Sequence, residues 1–255
     1  MALKICSLSS GSHGNCIYIS SDTTDLLIDA GISCKKTKER LAVLGAQPPQ
    51  HLLITHSHSD HVCGVSMLAK TFSPVIYTHF RTHYEIAKLV PGYLKIKEYS
   101  SDFFVGDMTV SPFAVSHDVP CNAYSVLCGG KKVTVVTDVG VLTEENLNSI
   151  EGSDVVLIES NHDEKMLMSN PRYSDTLKRR ILSSRGHLSN SACAAAAVEI
   201  VKRGAKHIIL GHLSEENNTP TLAYETTKNA LDRVGLSASV TIALQNEMTE
   251  VIEVC

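Results

Sequence analysis

The feature that most constrains this chain is a histidine cluster directly after a short apolar run. Residues 51–55 predict a strand, and the chain continues as His56-Ser-His58-Ser-Asp60-His61. Alternate residues of an extended chain face the same side, so His56 and His58 share a face, whereas Asp60 and His61 follow a turn. Imidazole and carboxylate groups bind zinc, iron or manganese. Four such side chains in six positions predict a metal site, and one such loop can serve two ions.

The composition favours an α/β protein with an aliphatic core. The 255 residues are 43% hydrophobic, tryptophan is absent, and aromatic residues make up only 5%. We therefore expect Val, Ile, Leu and Ala to fill a large core. No low-complexity linker divides the chain, which predicts a single domain over residues 1–255.

Strands and helices alternate along the chain in two similar halves. Strands are predicted at residues 3–8, 16–20, 25–28, 51–55, 75–77, 109–115, 123–128, 132–136, 154–158, 207–210, 240–243 and 250–254. Helices are predicted at residues 35–44, 62–70, 81–89, 144–149, 190–203 and 222–234. Each half follows a βββ…αβα-like order. This pattern predicts two sheets packed face to face with helices outside, a four-layer αββα sandwich.

Charge and cysteine usage indicate the compartment and limit the class of partner. The first residues lack the charged start and apolar run of a signal peptide, and no stretch reaches the ~18 apolar residues of a membrane helix. The eight cysteines form no C-x-x-C pair, as expected for reduced, buried thiols. We therefore predict a cytoplasmic protein with no membrane partner. The net charge of −4 argues against a generally basic nucleic-acid-coating protein, but not against a nuclease, which needs a favourable field only at its cleft.

Three further polar residues each end an apolar run. His117 follows residues 109–115, Asp138 follows residues 133–137, and His212 follows residues 208–210. Site residues concentrate in loops at strand ends. Two metal ions need more ligands than the His56 loop supplies, so we expect these three side chains to complete the site.

The order of these groups resembles the signature of the metallo-β-lactamase superfamily. His-x-His-x-Asp-His is followed by a His, then an Asp, then a Gly-His, and the resemblance covers nearly the whole chain. It implies the αββα fold and two divalent ions of zinc, manganese or iron. A water held between them would lose a proton near neutral pH and act as the nucleophile. The implied ligands are His56, His58 and His117 for one ion, Asp60, His61 and His212 for the other, and Asp138 as the bridge.

Further segments resemble the YycJ (WalJ) family within that superfamily. They are Ser9-Ser-Gly-Ser-His-Gly-Asn15, Glu159-Ser-Asn-His162-Asp, Arg185-Gly-His187-Leu-Ser-Asn and Gly-His212-Leu-Ser-Glu-Glu-Asn-Asn. This family is cytosolic, and a 5′-to-3′ exonuclease activity on double-stranded DNA is attributed to it. The same segments are similar to motifs of β-CASP nucleases. However, only 73 residues separate Asp138 from His212, which leaves no room for the inserted β-CASP domain.

Basic residues precede His187. Residues 172–187 contain five of them against one acid: Arg172, Lys178, Arg179, Arg180 and Arg185 against Asp175. Such a segment either neutralises a phosphodiester, with Arg185 as a substrate-binding residue, or forms a solvated helix face. We predict that His187 binds the scissile phosphate or, like Asp60, handles the leaving-group proton. Alternatively, His187 is structural and precedes a helix that starts at Ser189.

Two further groups of residues have alternative interpretations. Ser10, Ser12 and Asn15 are predicted to bind substrate, because backbone N–H groups of a Ser/Gly turn can cradle a phosphate, although a plain hairpin connection is equally compatible. Glu159 and His162 are predicted to orient the metal ligands, with substrate contact as the alternative for His162.

Three functions are compatible with the sequence. The first is a phosphodiesterase that trims DNA from an end by metal-hydroxide attack on phosphorus. The second is a small-molecule hydrolase that cleaves a cyclic phosphodiester, a lactone or a thioester, suggested by the missing clamping domain. The third is a non-catalytic metal-binding regulatory protein, against which the complete ligand set argues. The pattern favours the first and does not predict the oligomeric state.

Overall fold

Runs of Val, Ile and Leu build the strands, as the aliphatic composition predicts. The computed structural model describes residues 2–92 and 94–254, and within them the strands form two seven-stranded sheets. The strands are β1 Leu3–Ser9, β2 Cys16–Ser20, β3 Asp25–Ile28, β4 His51–Ile54, β5 Val75–His79, β6 Ile96–Tyr99, β7 Phe103–Val105, β8 Met108–Val115, β9 Cys121–Cys128, β10 Lys131–Val136, β11 Val155–Glu159, β12 His207–Gly211, β13 Ser239–Ile242 and β14 Ile252–Val254.

Hydroxyl side chains begin most of the longer helices. Ser33, Ser174, Ser189 and Thr219 each accept a hydrogen bond from a backbone N–H three residues further on, which satisfies a donor that the first turn leaves open. The helices are α1 Cys34–Val43, α2 Ser59–Val62, α3 Val65–Phe72, α4 His83–Ala87, α5 Glu144–Ile150, α6 Glu164–Ser169, α7 Asp175–Ile181, α8 Asn190–Lys202 and α9 Pro220–Arg233.

The chain divides into two units. The first contains the chain up to Pro112, Val126–Lys131 and the chain from Gln245 onwards. The second contains Phe113–Ser125 and Lys132–Leu244. Each unit has its own buried aliphatic cluster. The prediction of one domain over residues 1–255 stays a prediction.

The sheet of the first unit brings several strand ends to one edge. Its order is β14-β1-β2-β3-β4-β5-β6, and β3 to β6 run parallel. Ile28 lies opposite Leu53, and Ile54 lies opposite Thr78. The residues that follow β3, β4 and β5 therefore emerge side by side, which places the His56 loop between two neighbouring strand ends.

The other sheet places polar residues at strand ends in the same way. Its order is β13-β12-β11-β10-β9-β8-β7, and β10 to β13 run parallel. The strands β11 and β12 are almost entirely buried, as expected for central parallel strands. Asp138, Glu159 and His212 lie at or just beyond the carboxyl ends of β10, β11 and β12.

Most predicted elements are confirmed, and the differences have local causes. The helix predicted at residues 62–70 is present as α3 but begins only at Val65, because the short helix α2 ends at Val62 and Gly64 lies between them against the carbonyl oxygen of Ile32. The short helix α6 was not predicted, since so few residues show little periodicity. The helix α7 lies in the basic segment for which a solvated helix was one of the two interpretations. Among the described residues, no helix is long and apolar enough to cross a membrane.

Candidate metal centre

The loop after β4 brings four predicted ligands together in the first unit. The rings of His56 and His61 are fully buried, and their centroids lie 4.1 Å apart. The ring of His58 lies 4.7 Å from that of His56. The Oδ2 atom of Asp60 lies 3.4 Å from Nε2 of His61. The contiguous cluster of the sequence is therefore a cluster in space.

Asp29, which the sequence did not single out, holds this loop. Its Oδ2 lies 2.7 Å from Nδ1 of His61, and its carboxylate also accepts hydrogen bonds from the N–H and hydroxyl groups of Thr55, both at 2.8 Å. A carboxylate only accepts, so Nδ1 of His61 carries the hydrogen and Nε2 presents a lone pair. The signal was available, because Asp29 ends the apolar run of β3 as the other site residues end theirs.

The backbone of Asp29 also indicates a specialised position. Its φ of 62° lies in the left-handed region, as do those of Asp138 at 55° and His212 at 53°. Residues other than glycine rarely adopt this conformation, and it is concentrated at functional sites. The surrounding structure therefore imposes a strained backbone at two of the predicted ligands, Asp138 and His212, and at Asp29, which contacts a third, His61.

We expect Asp29→Asn to weaken divalent-metal binding about 10- to 100-fold, the range for partners that orient metal-binding histidines. The amide cannot support the Nδ1–H tautomer of His61 as the carboxylate does. Competition with a chromophoric chelator measures the affinity. Asp25→Asn is the matched control, since Asp25 lies at the other end of β3 and accepts a hydrogen bond from Tyr18. Equal affinities in the two variants would contradict this role for Asp29.

The Ser9–Asn15 loop packs against the His56 loop. The amide Nδ2 of Asn15 lies 3.0 Å from Nε2 of His61 and 3.4 Å from Oδ2 of Asp60. Its backbone N–H donates to the carbonyl of Asp60 at 2.7 Å, and Gly31 permits this approach because a side chain there would overlap that carbonyl oxygen. Asn15 thus contacts predicted metal ligands directly.

Several backbone N–H groups of that loop already donate hydrogen bonds within the protein. The backbone N–H of Gly11 donates to Asn15, and that of His13 donates to Gln245. Ser10 is buried, whereas Ser12 is exposed. The predicted phosphate contact therefore depends on Ser12 and the remaining donors, and it stays a prediction.

In the second unit, four side chains converge at the ends of β10 to β12. Asp138, Glu159, His187 and His212 each offer a ligand atom, and these atoms lie within 4.8 Å of one another. The Oδ1 atom of Asp138 lies 3.7 Å from Nε2 of His212 and 3.8 Å from Nδ1 of His187. It also lies 3.9 Å from Nε2 of His117. One carboxylate is therefore surrounded by three imidazoles.

The buried carboxylate of Glu159 contacts both His187 and His212. Its Oε1 lies 2.7 Å from Nδ1 of both His187 and His212, and Oε2 accepts the backbone N–H groups of Val139 and Leu188. Burial alone would raise the pKa of Glu159, but the charge and hydrogen bond of His187 and the bond from His212 lower it to about 2. Glu159 is thus a buried carboxylate in contact with both rings, and its role in orienting metal ligands stays a prediction.

His187 differs from its neighbours in exposure. Its side chain is 20% exposed, against 1% for His117 and 2% for His212. Burial would lower its pKa, but the carboxylate of Glu159 outweighs this and raises it. His187 is therefore the most exposed of these three imidazoles, and its Nδ1 contacts the buried carboxylate of Glu159.

Arg185 supports the His117 loop from outside. Its guanidinium donates to the carbonyl oxygens of His117 at 3.0 Å and Asp118 at 2.7 Å. Other basic residues of the segment are also engaged: Arg172 pairs with Glu216, Arg180 pairs with Asp118, and Lys178 donates to the carbonyl of Met168. The predicted role of Arg185 in substrate binding stays a prediction.

His162 lies in a buried polar region next to this cluster. The residue is 1% exposed, and neither ring nitrogen has a hydrogen-bond partner in the described part of the chain. Burial lowers its pKa, which favours the neutral ring. Its neighbour Asn161 donates to the carbonyl of His212 at 2.9 Å. An orienting role for His162 stays a prediction.

The donor set fits divalent transition-metal ions. In His61, His117 and His212, Nδ1 faces an oxygen acceptor, respectively Asp29, the carbonyl of Gly186 and Glu159. Each ring therefore presents Nε2, the arrangement that metal-binding histidines usually show. Imidazole and carboxylate together suit zinc, manganese or iron.

Comparisons with known proteins agree with this chemistry. A family model described as "Beta-lactamase superfamily domain" matches residues 24–213. The exodeoxyribonuclease WalJ of Streptococcus pneumoniae is 36% identical over 249 residues, which cover 94% of this chain and 92% of that protein. The exodeoxyribonuclease YycJ of Bacillus anthracis is 34% identical over 242 residues, covering 92% and 91%.

A solved structure establishes the fold class. The metallo-β-lactamase fold protein YhfI of Bacillus subtilis matches over the full length of both chains, with a TM-score of 0.78 and 18% identity. With the family match, this confirms the predicted αββα class of the metallo-β-lactamase fold.

Proposed function

The chain belongs to the metallo-β-lactamase superfamily and, within it, to the family of the exodeoxyribonucleases WalJ and YycJ; from this premise we propose that it is an exonuclease that hydrolyses phosphodiester bonds of DNA. Membership makes it a metal-dependent hydrolase, as predicted. The names of its relatives support a nucleic-acid substrate. The same proposal includes digestion in the 5′-to-3′ direction and a cytoplasmic location.

The proposed centre holds two divalent ions. The proposed ligands are His56, His58 and His117 for one ion, Asp60, His61 and His212 for the other, and Asp138 as the bridge. The orientation of His61, His117 and His212 by fixed acceptors supports this set. When bound, divalent ions supply Lewis-acid activation of water and neutralise charge on the phosphate. Zinc, manganese and iron all suit these donors.

His187 is the proposed proton donor to the leaving oxygen, and the single observation that carries this role is its contact with Glu159. The carboxylate fixes Nδ1 at 2.7 Å, so the opposite nitrogen, Nε2, points away from the buried support. The same carboxylate stabilises the charged imidazolium. A ring that is oriented and partly exposed, and whose pKa is raised by a neighbouring carboxylate, can deliver a proton to substrate. Asp60 is the second candidate for this step.

The decisive experiment uses a 5′-phosphorylated duplex with a label on the 3′ end. We expect the protein, purified without chelator, to shorten this duplex, a chelator to stop the reaction, and added Mn²⁺ or Zn²⁺ to restore it. His58→Ala should lose the activity, whereas the matched control His207→Ala should keep it, because His207 bonds to Thr241 on the neighbouring strand. Metal analysis of the same samples gives the number of ions.

Each alternative has its own outcome in this experiment. Intact DNA together with turnover of bis-p-nitrophenyl phosphate would replace the proposal with a small phosphodiester substrate. Hydrolysis of lactones or thioesters alone would indicate a carboxylic-ester substrate. Equal DNA cleavage by wild type and His58→Ala would contradict the ligand set.

A further inference from the structure

Aromatic residues are concentrated in one segment of the first unit. The chain has eight tyrosines and five phenylalanines, and seven of these thirteen residues lie between positions 77 and 104. The core of this chain is mainly aliphatic, so packing alone does not explain why more than half of the Tyr and Phe residues lie in one segment. A role beyond packing is therefore open to those rings that reach the surface.

The rings form a connected series of contacts, two stacked and two tilted, that ends at the surface. Phe103 stacks on Tyr77 at 5.1 Å and on Tyr99 at 4.8 Å between centroids. Tyr99 contacts His79 at 5.7 Å, and His79 contacts Phe80 at 4.3 Å. Tyr77 and Tyr99 are buried, whereas Phe80 is 51% exposed. Phe80 is thus the exposed end of a series of ring contacts whose buried members lie on β5 and β6.

Cations accompany the exposed rings. The guanidinium carbon of Arg81 lies 5.6 Å from the ring centroid of Phe80. The Nζ atom of Lys88 lies 3.9 Å from that of Tyr84, which is 71% exposed. Exposed aromatic faces beside positive groups are the two elements that single-stranded nucleic-acid sites combine.

The local charge is opposite to that of the whole chain. Residues 79–99 contain four Lys or Arg and two Glu, a net charge of +2, whereas the chain carries −4. Glu85 pairs with Lys88, and Glu98 lies 3.0 Å from Nδ1 of His83. Arg81 is exposed, and its guanidinium charge suits a phosphate.

This surface lies beside the metal-binding loop of the same unit. Strand β5 is the parallel neighbour of β4, and Ile54 lies opposite Thr78. The chain reaches Phe80 two residues after Thr78 and reaches His56 two residues after Ile54. Neighbouring strands are about 4.8 Å apart, so Phe80 and the His56 loop leave the same edge at adjacent strands.

We propose that Phe80, Arg81 and Tyr84, here called the Phe80 platform, bind an unpaired nucleotide at the 5′ end of a DNA strand. The base stacks on Phe80 and the adjoining phosphate pairs with Arg81. A base exposes its face for such stacking only when it is unpaired, so the platform selects frayed ends or overhangs. The inference rests on the proposed function and deepens it, because it explains how an end is held without an inserted clamping domain.

A fluorescence experiment tests the platform without turnover. A 5′-phosphorylated duplex carries 2-aminopurine in a short 5′ overhang, and binding is titrated in chelator. Stacking on wild-type protein should quench the fluorescence, and Phe80→Ala should weaken this binding roughly 5- to 150-fold, the range for one lost base–aromatic stack. Phe80→Trp keeps an aromatic face and should retain the quench. Tyr224→Ala, an exposed aromatic on α9, should behave as wild type.

Three results would overturn the platform. The first is equal quenching and affinity in wild type and Phe80→Ala. The second is the same loss of binding in Tyr224→Ala as in Phe80→Ala. The third is a change of oligomeric state in Phe80→Ala, seen by sedimentation, with the quench unaltered, which would make the surface a protein interface. Because no cleavage is needed, a failure of DNA hydrolysis and a failure of the platform are seen in separate measurements.

Discussion

Asp138→Asn should lower DNA hydrolysis about a thousandfold or more while the protein stays folded. Asp138 is the proposed bridge, and its Oδ1 lies within 3.9 Å of a nitrogen of each of three imidazoles, those of His117, His187 and His212. An amide has no charge with which to join two cations. Metal-based transition-state stabilisation amounts to several kcal/mol, and about 4 kcal/mol corresponds to a thousandfold in rate.

The substitution is chosen so that a folding defect does not explain the result. Asp138 has a φ of 55°, and asparagine tolerates this left-handed conformation with almost the same shape. Metal content per chain and hydrolysis of the labelled duplex are the two readouts, and circular dichroism reports the fold. Asp232→Asn, which alters an acid paired with Lys228 on α9, is the control. Wild-type rates in Asp138→Asn would rule out a bridging role.

The predicted ligands could be found in the sequence because each one has a local signature. His56 to His61 are contiguous, and His117, Asp138 and His212 each interrupt an apolar run. Site residues concentrate where strands end, so a polar residue that ends an apolar run is a candidate for the site. The fold class follows from the same alternation of strands and helices.

The supporting contacts could not be found in this way. Asp29 and His61 are 32 residues apart, and Glu159 and His212 are 53 apart. Whether such pairs meet depends on strand order and on a left-handed backbone at Asp29 and His212, neither of which leaves a mark on residue type. Arg185 illustrates the reverse case, because its charge suggested a phosphate contact, whereas its guanidinium donates to two carbonyl oxygens.

The sequence also does not predict how the aromatic residues between positions 77 and 104 contact one another. Tyr77, Tyr99 and Phe103 lie on three different strands, and only the register that sets His79 opposite Tyr99 joins their rings to Phe80. In sequence these residues resemble ordinary core positions. The contrast between the buried rings and the one exposed end appears only when β5, β6 and β7 come together in the folded chain.

His187→Ala should reduce hydrolysis of DNA about 10²- to 10⁴-fold, the usual contribution of a general acid. The sugar oxygen that leaves a DNA strand is a poor leaving group and needs a proton. The nitrophenolate of bis-p-nitrophenyl phosphate is a stable anion and leaves without one. The same variant should therefore lose far less activity on that substrate, and steady-state kinetics on both substrates measures the difference.

The ratio of the two losses separates the two roles open to His187. A proton donor supported by Glu159 predicts a selective fall in kcat on DNA, since only the transition state with the poor leaving group needs it. A phosphate-binding residue predicts a similar loss on both substrates, expressed mainly as a higher KM. Equal losses would thus remove the proton-donor role and leave phosphate binding in its place. His207→Ala should leave both substrates unaffected, because its ring bonds to Thr241 within the sheet and not to Glu159.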